Sequence, residues 1–464
     1  MKIAFHGAAR AVTGSKHLIT LTNGTKILLD CGMFQGMGEV TDKLNGYFGF
    51  KPESITYMVL SHAHIDHVGL LPRLVKEGFS GNIFSTPATM DLARILLMDS
   101  AKIQSQDADY AKESNSGDDD NEPLYTEEDV IQALSQFKVV EYNEEFQIDP
   151  RITLTLTDAG HILGSAAVHL TIIDDGKEYK ITFSGDVGRY SDLLLKSPQT
   201  FPQADYILLE STYGNSLHKD QEPIEGRLLE IINNTCNIKG GKVIIPAFSV
   251  GRTQELLYAL NSLELQGRLP AVPYYVDSPL SMQATKVLKN HLEVYNNGVK
   301  EVLKVDDDPF AFKGLKFIES VEESRALNQD PRPCVIISAS GMADSGRVKH
   351  HIRNCISNQK NTILIVGYCE PRSLGGKLLA GEPVVNIFHE NFTVNAEILS
   401  IQSMSAHGDY DDLLHFLACQ DPKEVKQVFL VHGEYEVQQQ FAQRIIDKGF
   451  KHVAIPEYHQ EYEL

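Results

Sequence analysis

"SHAHIDHVG", residues 61–69, places His62, His64, Asp66 and His67 within six positions, directly after the apolar run Ile55–Leu60. Imidazole and carboxylate are the donors that zinc and similar divalent ions prefer. Two residues apart in an extended or turning loop, His62 and His64 approach one ion. Asp66 and His67, one step further, face a second. Four donors are too few for two ions that each keep a position open for water. The remainder must come from elsewhere in the chain.

Other strand-like runs end the same way. Lys26–Leu29 leads to Asp30, Leu154–Gly160 to His161, Tyr179–Gly185 to Asp186, Tyr206–Leu209 to Glu210 and Val428–Val431 to His432. A rigid sheet fixes the loops at its strand ends, which is where such proteins place their chemistry. His161, Asp186 and His432 are the candidate additional ligands, and the two oxygens of Asp186 suit it to bridging two ions. Helices are expected from Val68 to Gly78, from Met90 to Ala111, and after Thr126, whose hydroxyl caps a first turn rich in acids. The stretch 114–123 between the last two is a polar acidic loop without the spacing of a calcium loop. From about residue 213, runs such as Lys242–Phe248, Pro273–Asp277, Cys334–Ser338 and Thr362–Gly367 alternate with helical segments, which predicts a mostly parallel sheet.

A chain of 464 residues implies more than one domain, and 42 per cent apolar with 22 per cent charged residues is ordinary for a soluble protein. No apolar run approaches the roughly 18 residues of a membrane span. Residues Met1–Gly7 lack the apolar core of a signal peptide and read as a first strand. Six scattered cysteines without a CxxC pair are expected to be reduced thiols of a cytoplasmic protein. The net charge of −20 argues against a general nucleic-acid-binding surface, though divalent ions in one cleft would reverse the local potential.

HAHIDH together with Asp30, His161 and Asp186 resembles the signature of the metallo-β-lactamase fold. "FSGDVGR" (183–189), "PAFSVGRTQELL" (246–257) and "SASGMADSGR" (338–347) resemble the β-CASP nuclease branch, in particular bacterial and archaeal homologues of the cleavage and polyadenylation specificity factor endonuclease. The resemblance spans essentially the whole chain. It implies an α/β protein: an αββα sandwich formed by residues 1–212 and 386–464, with a β-CASP α/β domain inserted at 213–385. It implies two Zn2+ ions, one held by His62, His64 and His161, the other by Asp66, His67 and His432, with Asp186 bridging and Asp30 orienting ligands. Glu210 in "LLEST", His407 in "SMSAHGD" and His432 in "FLVHGE" match three further β-CASP motifs. A histidine at the last of these is the pattern of RNA-acting members, while DNA-repair members tend to have valine.

The expected activity is therefore hydrolysis of single-stranded RNA by a zinc-dependent ribonuclease, as an endonuclease with exonuclease activity also open to it. Two ions lower the pKa of a bridging water, and the resulting hydroxide attacks phosphorus in line. Asp66, Asp30, Glu210 and His407 are the expected catalytic group, with His407 protonating the leaving oxygen and Glu210 orienting its ring. Phosphate donors are sought at Ser338, Ser340 and Gly341 after a strand, and at Arg252 opening a helix. In "GYCEPRSLGGKL", Ser373-Leu374-Gly375 stands where relatives have Gly-Thr-Leu-Gly, with Pro371-Arg372 as a departure. No KH-like region is expected ahead of the catalytic lobe and no ribonuclease J-like tail behind it, which leaves RNA grip to the two domains. Two rival readings stay open: a hydrolase of small phosphodiesters or esters, and a non-catalytic RNA-binding subunit. The pair His350-His351 lies in a helical pattern where neighbours do not share a face, and it is not read as a metal site. His6, His459 and the remaining histidines are read as ordinary core or surface residues.

Overall fold

The computed structural model describes residues 1–36, 40–113, 122–218, 223–367, 369–401 and 404–464. The acidic loop expected at 114–123 falls almost wholly outside them. The chain forms two compact units, Met1–Leu217 with His407–Leu464, and His218–Ala406. The second junction thus lies beyond the 385/386 expected from the sequence. The reason is the strand Glu397–Ile401, which adds in parallel to Thr362–Val366 and so belongs to the second unit's sheet.

Two seven-stranded sheets build the first unit. One runs, in spatial order, Glu461–Glu463, Lys2–Gly7, Lys16–Thr20, Lys26–Leu29, Tyr57–Val59, Asn82–Ser85 and Phe137–Val139. The other runs Val453–Ala454, Gln427–Val431, Tyr206–Glu210, Lys177–Phe183, Ala166–Asp174, Ile152–Asp158 and Phe146–Asp149. Alternation along the strands sorts side chains between two layers. Leu208, Phe429 and Val431 turn toward Phe5, Ile19 and Phe183 in the core shared by the sheets. Ile207, Leu209, Val428 and Leu430 turn the other way, onto Leu413, Phe416, Phe441 and Ile445 of the helices Tyr410–Leu417 and Tyr435–Asp447. The helices Leu71–Lys76, Pro87–Glu113 and Glu127–Leu134 pack together beside the first sheet. The layering is αββα.

The helix expected at 68–78 is two helices, Ile65–Val68 and Leu71–Lys76. Pro72 has no N–H to extend the first, but fits the opening turn of the second. Asp66 and His67 consequently ride on a single helical turn. The cap at Thr126 forms as a reciprocal pair: its hydroxyl accepts from Asp129 N at 3.4 Å, and the Asp129 carboxylate accepts from Thr126 N at 2.8 Å.

The second unit carries a six-stranded sheet in the order Leu315–Phe317, Tyr274–Val276, Val335–Ser338, Val243–Pro246, Thr362–Val366 and Glu397–Ile401, every pairing parallel. The hairpin Val384–Ile387/Glu390–Thr393 stands apart from it. All six cysteines are free thiols. Among the described residues no helix is long and apolar enough to cross a membrane.

Phe429 is 1 % exposed and packs at 5.1 Å from Phe5 and 4.9 Å from Tyr462, ring centre to ring centre. Phe429→Ala should destabilise the first unit by about 3–5 kcal/mol, the usual loss for a buried phenyl ring. Urea unfolding followed by near-ultraviolet circular dichroism measures it. A loss under about 1 kcal/mol would mean the core between the sheets collapses around the missing ring.

Candidate metal centre

Strand direction puts the functional ends together. Lys26–Leu29 and Tyr57–Val59 are parallel neighbours, as are Lys177–Phe183 and Tyr206–Glu210, and Tyr206–Glu210 and Gln427–Val431. Their carboxyl ends release Asp30, the HAHIDH turn, Asp186, Glu210 and His432 along shared edges. Glycines let the loops touch. A Cβ on Gly188 would lie 1.8 Å from the Gly160 carbonyl, so the loop after Asp186 can lie against the loop that carries His161. A Cβ on Gly32 would lie 1.6 Å from the Asp66 carbonyl.

Seven expected ligands converge, in two sets. His62 Nε2 and His161 Nε2 stand 3.2 and 3.1 Å from His64 Nδ1, and 3.4 and 3.5 Å from Asp186 Oδ2. On the other side, Asp186 Oδ1 is 3.3 Å from His67 Nε2 and 3.6 Å from His432 Nε2. Asp66 Oδ2 completes that set, 3.3 Å from His432 Nε2 and 3.9 Å from His67 Nε2. A tetrahedral zinc site with bonds of about 2.0–2.1 Å has ligand atoms roughly 3.3 Å apart. Both sets match that spacing, and Asp186 presents one oxygen to each.

Neighbouring groups hold the histidines in the tautomer that ligation needs. Asp30 Oδ2 accepts from His67 Nδ1 at 2.6 Å and from the Ser61 hydroxyl at 2.8 Å, while its Oδ1 accepts from Ser61 N at 2.7 Å. Since the Ser61 hydroxyl donates to Asp30, its oxygen is left to accept from His62 Nδ1 at 3.0 Å. Thr212 repeats the device. Its hydroxyl donates to the His432 carbonyl at 3.2 Å and accepts from His432 Nδ1 at 3.0 Å. In each case the proton sits on Nδ1 and the Nε2 lone pair faces the cluster. His67 Nε2 and Asp186 Oδ1 are buried and have no hydrogen-bond partner among the described residues.

The electrostatics point the same way. Burial pushes His62 down to about 3 and His64 down to about 4, and drives His161 well below the usual imidazole range, so all three are neutral donors. Burial also pushes His67 down, but Asp186, Asp66 and Asp30 outweigh it and hold the ring well above its usual value. The acids demand positive charge at that point, which a divalent ion would supply. Donor chemistry, spacing, tautomers and charge all fit bound metal.

His407 lies beside this cluster. Its Nδ1 is 3.0 Å from Glu210 Oε1 and 4.0 Å from Asp186 Oδ2. Asp186, His407 and His432 also approach one another closely enough to form a third potential ligand group. Glu210 is fully buried, and its oxygens further accept from Val187 N at 2.8 Å and Thr212 N at 3.1 Å. Burial lowers the proton affinity of His407, yet Glu210, then Asp186 and Asp66, raise its pKa to about 9.

The comparisons with known proteins agree with this geometry. Residues 12–221 match the model of the metallo-β-lactamase superfamily, 253–378 that of the Beta-Casp domain, and 392–456 that of a Zn-dependent metallo-hydrolase RNA specificity domain. The chain is 36 % identical to ribonuclease TTHA0252 of Thermus thermophilus across 94 % of both chains. This chain belongs to the β-CASP branch of the metallo-β-lactamase superfamily. It is also 31 % identical to an RNase J-like protein of Methanocaldococcus jannaschii, over 96 % of this chain and 95 % of that one. The transcription termination factor FttA of the same organism is 31 % identical over 94 % of this chain and 67 % of its own length. A crystal structure of a protein of unknown function from Enterococcus faecalis superposes with a TM-score of 0.55 at 12 % identity, covering 100 % of this chain and 99 % of that one, a likeness of fold.

The residues expected to bind substrate belong to the second unit, and most of their side chains have internal partners. Arg252 is buried and paired with Glu255. The Ser338 hydroxyl donates to the Asp277 carbonyl at 2.8 Å. The Ser373 hydroxyl caps the helix Leu374–Leu379, donating to Glu370 O and accepting from Gly376 N. Ser340 is bonded to Ser345. Gly341 lies under the ring of Phe248, where a Cβ would come within 2.6 Å of a ring carbon. Arg372 pairs with Glu370 in the turn ahead of that helix.

Sequence reasoning missed three residues of the first unit that support the ligands. Ser61 directly precedes the candidate ligand His62, and that adjacency is the signal that would have found it; Thr212 closes the LLEST motif two residues after Glu210, and nothing in the sequence ties it to His432. Lys16 gave no signal. It is fully buried, and its Nζ donates to the Gly14 carbonyl at 2.9 Å and the Gly32 carbonyl at 2.7 Å, behind the turn carrying Asp66. Thr212→Val keeps the shape and removes the acceptor at His432 Nδ1. It should weaken metal binding about 10- to 100-fold, the usual effect of losing a ligand's orienting partner. Titration against a competing chelator measures this, and unchanged affinity would show that Thr212 does not set the His432 tautomer.

Proposed function

We propose that this chain is a zinc-dependent ribonuclease that hydrolyses single-stranded RNA at a dinuclear centre. The observation that carries the proposal is the placement of Asp186, with one oxygen facing His62, His64 and His161 and the other facing Asp66, His67 and His432. The ribonuclease names of two relatives and the RNA specificity domain matched at 392–456, which contains His407 and His432, support RNA as the substrate. Cleavage within the chain is the primary mode, with trimming from an end open to the same centre.

Two divalent ions would supply a water made acidic near neutral pH and positive charge for the phosphoryl oxygens. The rest is done by side chains. Asp30, Ser61 and Thr212 keep three imidazoles turned inward. Glu210 holds the Nδ1 side of His407, so the proton that His407 delivers to the departing ribose oxygen comes from Nε2. Asp66 and His432, 3.3 Å apart, would hold one of these ions together with His67. A non-catalytic subunit would have no use for a full ligand set, and here every ligand position is filled.

Protein reconstituted with zinc should carry two ions per chain by elemental analysis, and Asp186→Ala should lose metal and activity together. One ion in the reconstituted wild type, or retained turnover in the variant, would sink the dinuclear reading. His407→Ala should keep its zinc and its RNA affinity while the single-turnover rate falls roughly 10²- to 10⁴-fold, the scale for a lost general acid. Glu210→Gln should fall less, because the bond to Nδ1 survives without its charge. Should His407→Ala release an ion, His407 is a ligand, as its closeness to Asp186 and His432 allows. Matched single strands of RNA and DNA compared side by side test the substrate, and faster cleavage of DNA would overturn that part.

A further inference from the structure

The segment Asn45–Phe50, "NGYFGF", shows one tyrosine to solvent on a support that is itself fixed. Asn45 is clamped to Phe34 at both ends of its amide, accepting from Phe34 N at 2.7 Å and donating to Phe34 O at 3.0 Å. Arg73 donates to the carbonyls of Asn45 and Gly46 and lies over the Phe48 ring. Phe48 stacks on Phe50 at 5.5 Å. Gly49, at φ +84°, lies where any side chain would strike the rings of His6 and His459. Yet Tyr47 is 62 % exposed. The rings beneath already close the core, so holding Tyr47 out in water adds little to stability.

Tyr47 is not isolated. His459 lies 5.8 Å from it, ring centre to ring centre, and Tyr458 lies 3.7 Å from His459. Both are partly exposed. His459 has φ +65°, unusual for a residue with a side chain, and is fastened by its N–H to Phe5 O at 2.7 Å and by its ring to His6 at 2.8 Å. This row of rings is joined to the metal centre through the backbone. The strand that carries His6 runs on to Ala8, whose carbonyl accepts from His432 N at 2.8 Å. The loop that carries Phe34 begins at Gly32, packed against the Asp66 carbonyl, and Met33 N donates to Ile65 O at 3.0 Å. Lys43 and Lys51, both exposed, flank the segment.

We propose that Tyr47, Tyr458 and His459 form a base-stacking platform for single-stranded RNA that reaches the metal centre. The inference rests on the ribonuclease reading of that centre. Each base has a face that stacks on an aromatic ring whatever its sequence, so such a platform grips RNA without reading it. It also needs few phosphate contacts, which suits a chain of net charge −20. A pre-fixed ring loses little freedom when a base settles on it.

The test compares a long single-stranded oligoadenylate with the dinucleotide ApA, using zinc-loaded protein. Tyr47→Ala and Tyr458→Ala should each raise KM for the long strand about 10-fold, leave its kcat unchanged, and leave ApA turnover as in the wild type. Tyr47→Phe keeps the ring and should behave as the wild type. An unchanged KM, an equal effect on ApA, or a Tyr47→Phe variant as weak as Tyr47→Ala overturns the platform. Anisotropy of fluorescein-labelled oligoadenylate in a His407→Ala background reads binding without cutting. If the wild type cuts no RNA, the ribonuclease reading falls by itself, while loss of anisotropy on Tyr47→Ala still decides the platform. Sedimentation of the same variants excludes the other occupant: if Tyr47→Ala splits an oligomer, the rings are a contact between copies and the proposal fails.

Discussion

Asp186 is a buried carboxylate with both oxygens turned to imidazole nitrogens, and the first unit is arranged around that requirement. A carboxylate removed from water stays ionised only beside positive charge or hydrogen-bond donors. Most of the nitrogens nearest Asp186 are lone pairs, which oppose its charge unless a cation stands between. Each element of the centre is consistent with that missing partner. Burial keeps His62, His64 and His161 neutral. His67, surrounded by three acids, is held well above its usual value despite its burial. The sheets meet the requirement because parallel neighbours release their carboxyl ends in the same direction, so residues far apart in sequence arrive at one edge already aimed.

Aiming is then refined by groups that touch no ion. Asp30 and His432 both have positive φ, at 58° and 52°, a backbone state that costs about 1 kcal/mol or more for a residue with a Cβ. In both, the side chain leaves a strand end and turns at once into the cluster. The turn Ile65–Val68 is held from behind by its carbonyls: Met33 N bonds to Ile65 O, Ser15 N to Asp66 O and Cys31 N to His67 O. Lys16 ties together the two segments that make these bonds, and burial lowers its pKa to about 8. A lysine held there by two carbonyls, without a carboxylate, fixes backbone rather than balancing charge.

The sequence made the candidate ligands legible because ligation demands particular residue types, and strand ends marked by apolar runs located them. The αββα layering was implied by the family resemblance of those motifs, not by the runs themselves. What could not be read was whatever depends on backbone path. The helix at 68–78 splits at a proline that is acceptable in the middle of neither half, and periodicity alone runs across it. The second junction moves past 385/386 because Glu397–Ile401 pairs with Thr362–Val366, a choice between sheets that its sequence does not announce. Ser338 and Ser373 have the composition of phosphate donors, but their hydroxyls serve a neighbouring carbonyl and a helix cap. A serine after a strand looks the same in either role. Lys16 was invisible because a buried lysine and a surface lysine are the same letter, and His459 because its value lies in the strain of its φ and the company of two tyrosines.

Charge sets how this chain can hold a polyanion. Its net charge is −20, and many of its cations are already committed within the fold. Arg252 is paired with Glu255, Arg347 with Asp277, Arg353 with Glu390 and Lys239 with Glu397, while Arg73 and Lys16 serve backbone carbonyls. A basic groove that neutralises many phosphates would release many counterions and bind steeply less well as salt rises. This chain concentrates attraction at one edge instead, where ions held by Asp66, Asp186 and five histidines would meet a single phosphate. Away from that edge a net charge of −20 would oppose a polyanion. Grip on flanking nucleotides would then have to come from interactions that ignore charge, which is what the proposed platform of exposed rings would supply. The acidity that argues against a general nucleic-acid surface would therefore restrict where a strand can settle.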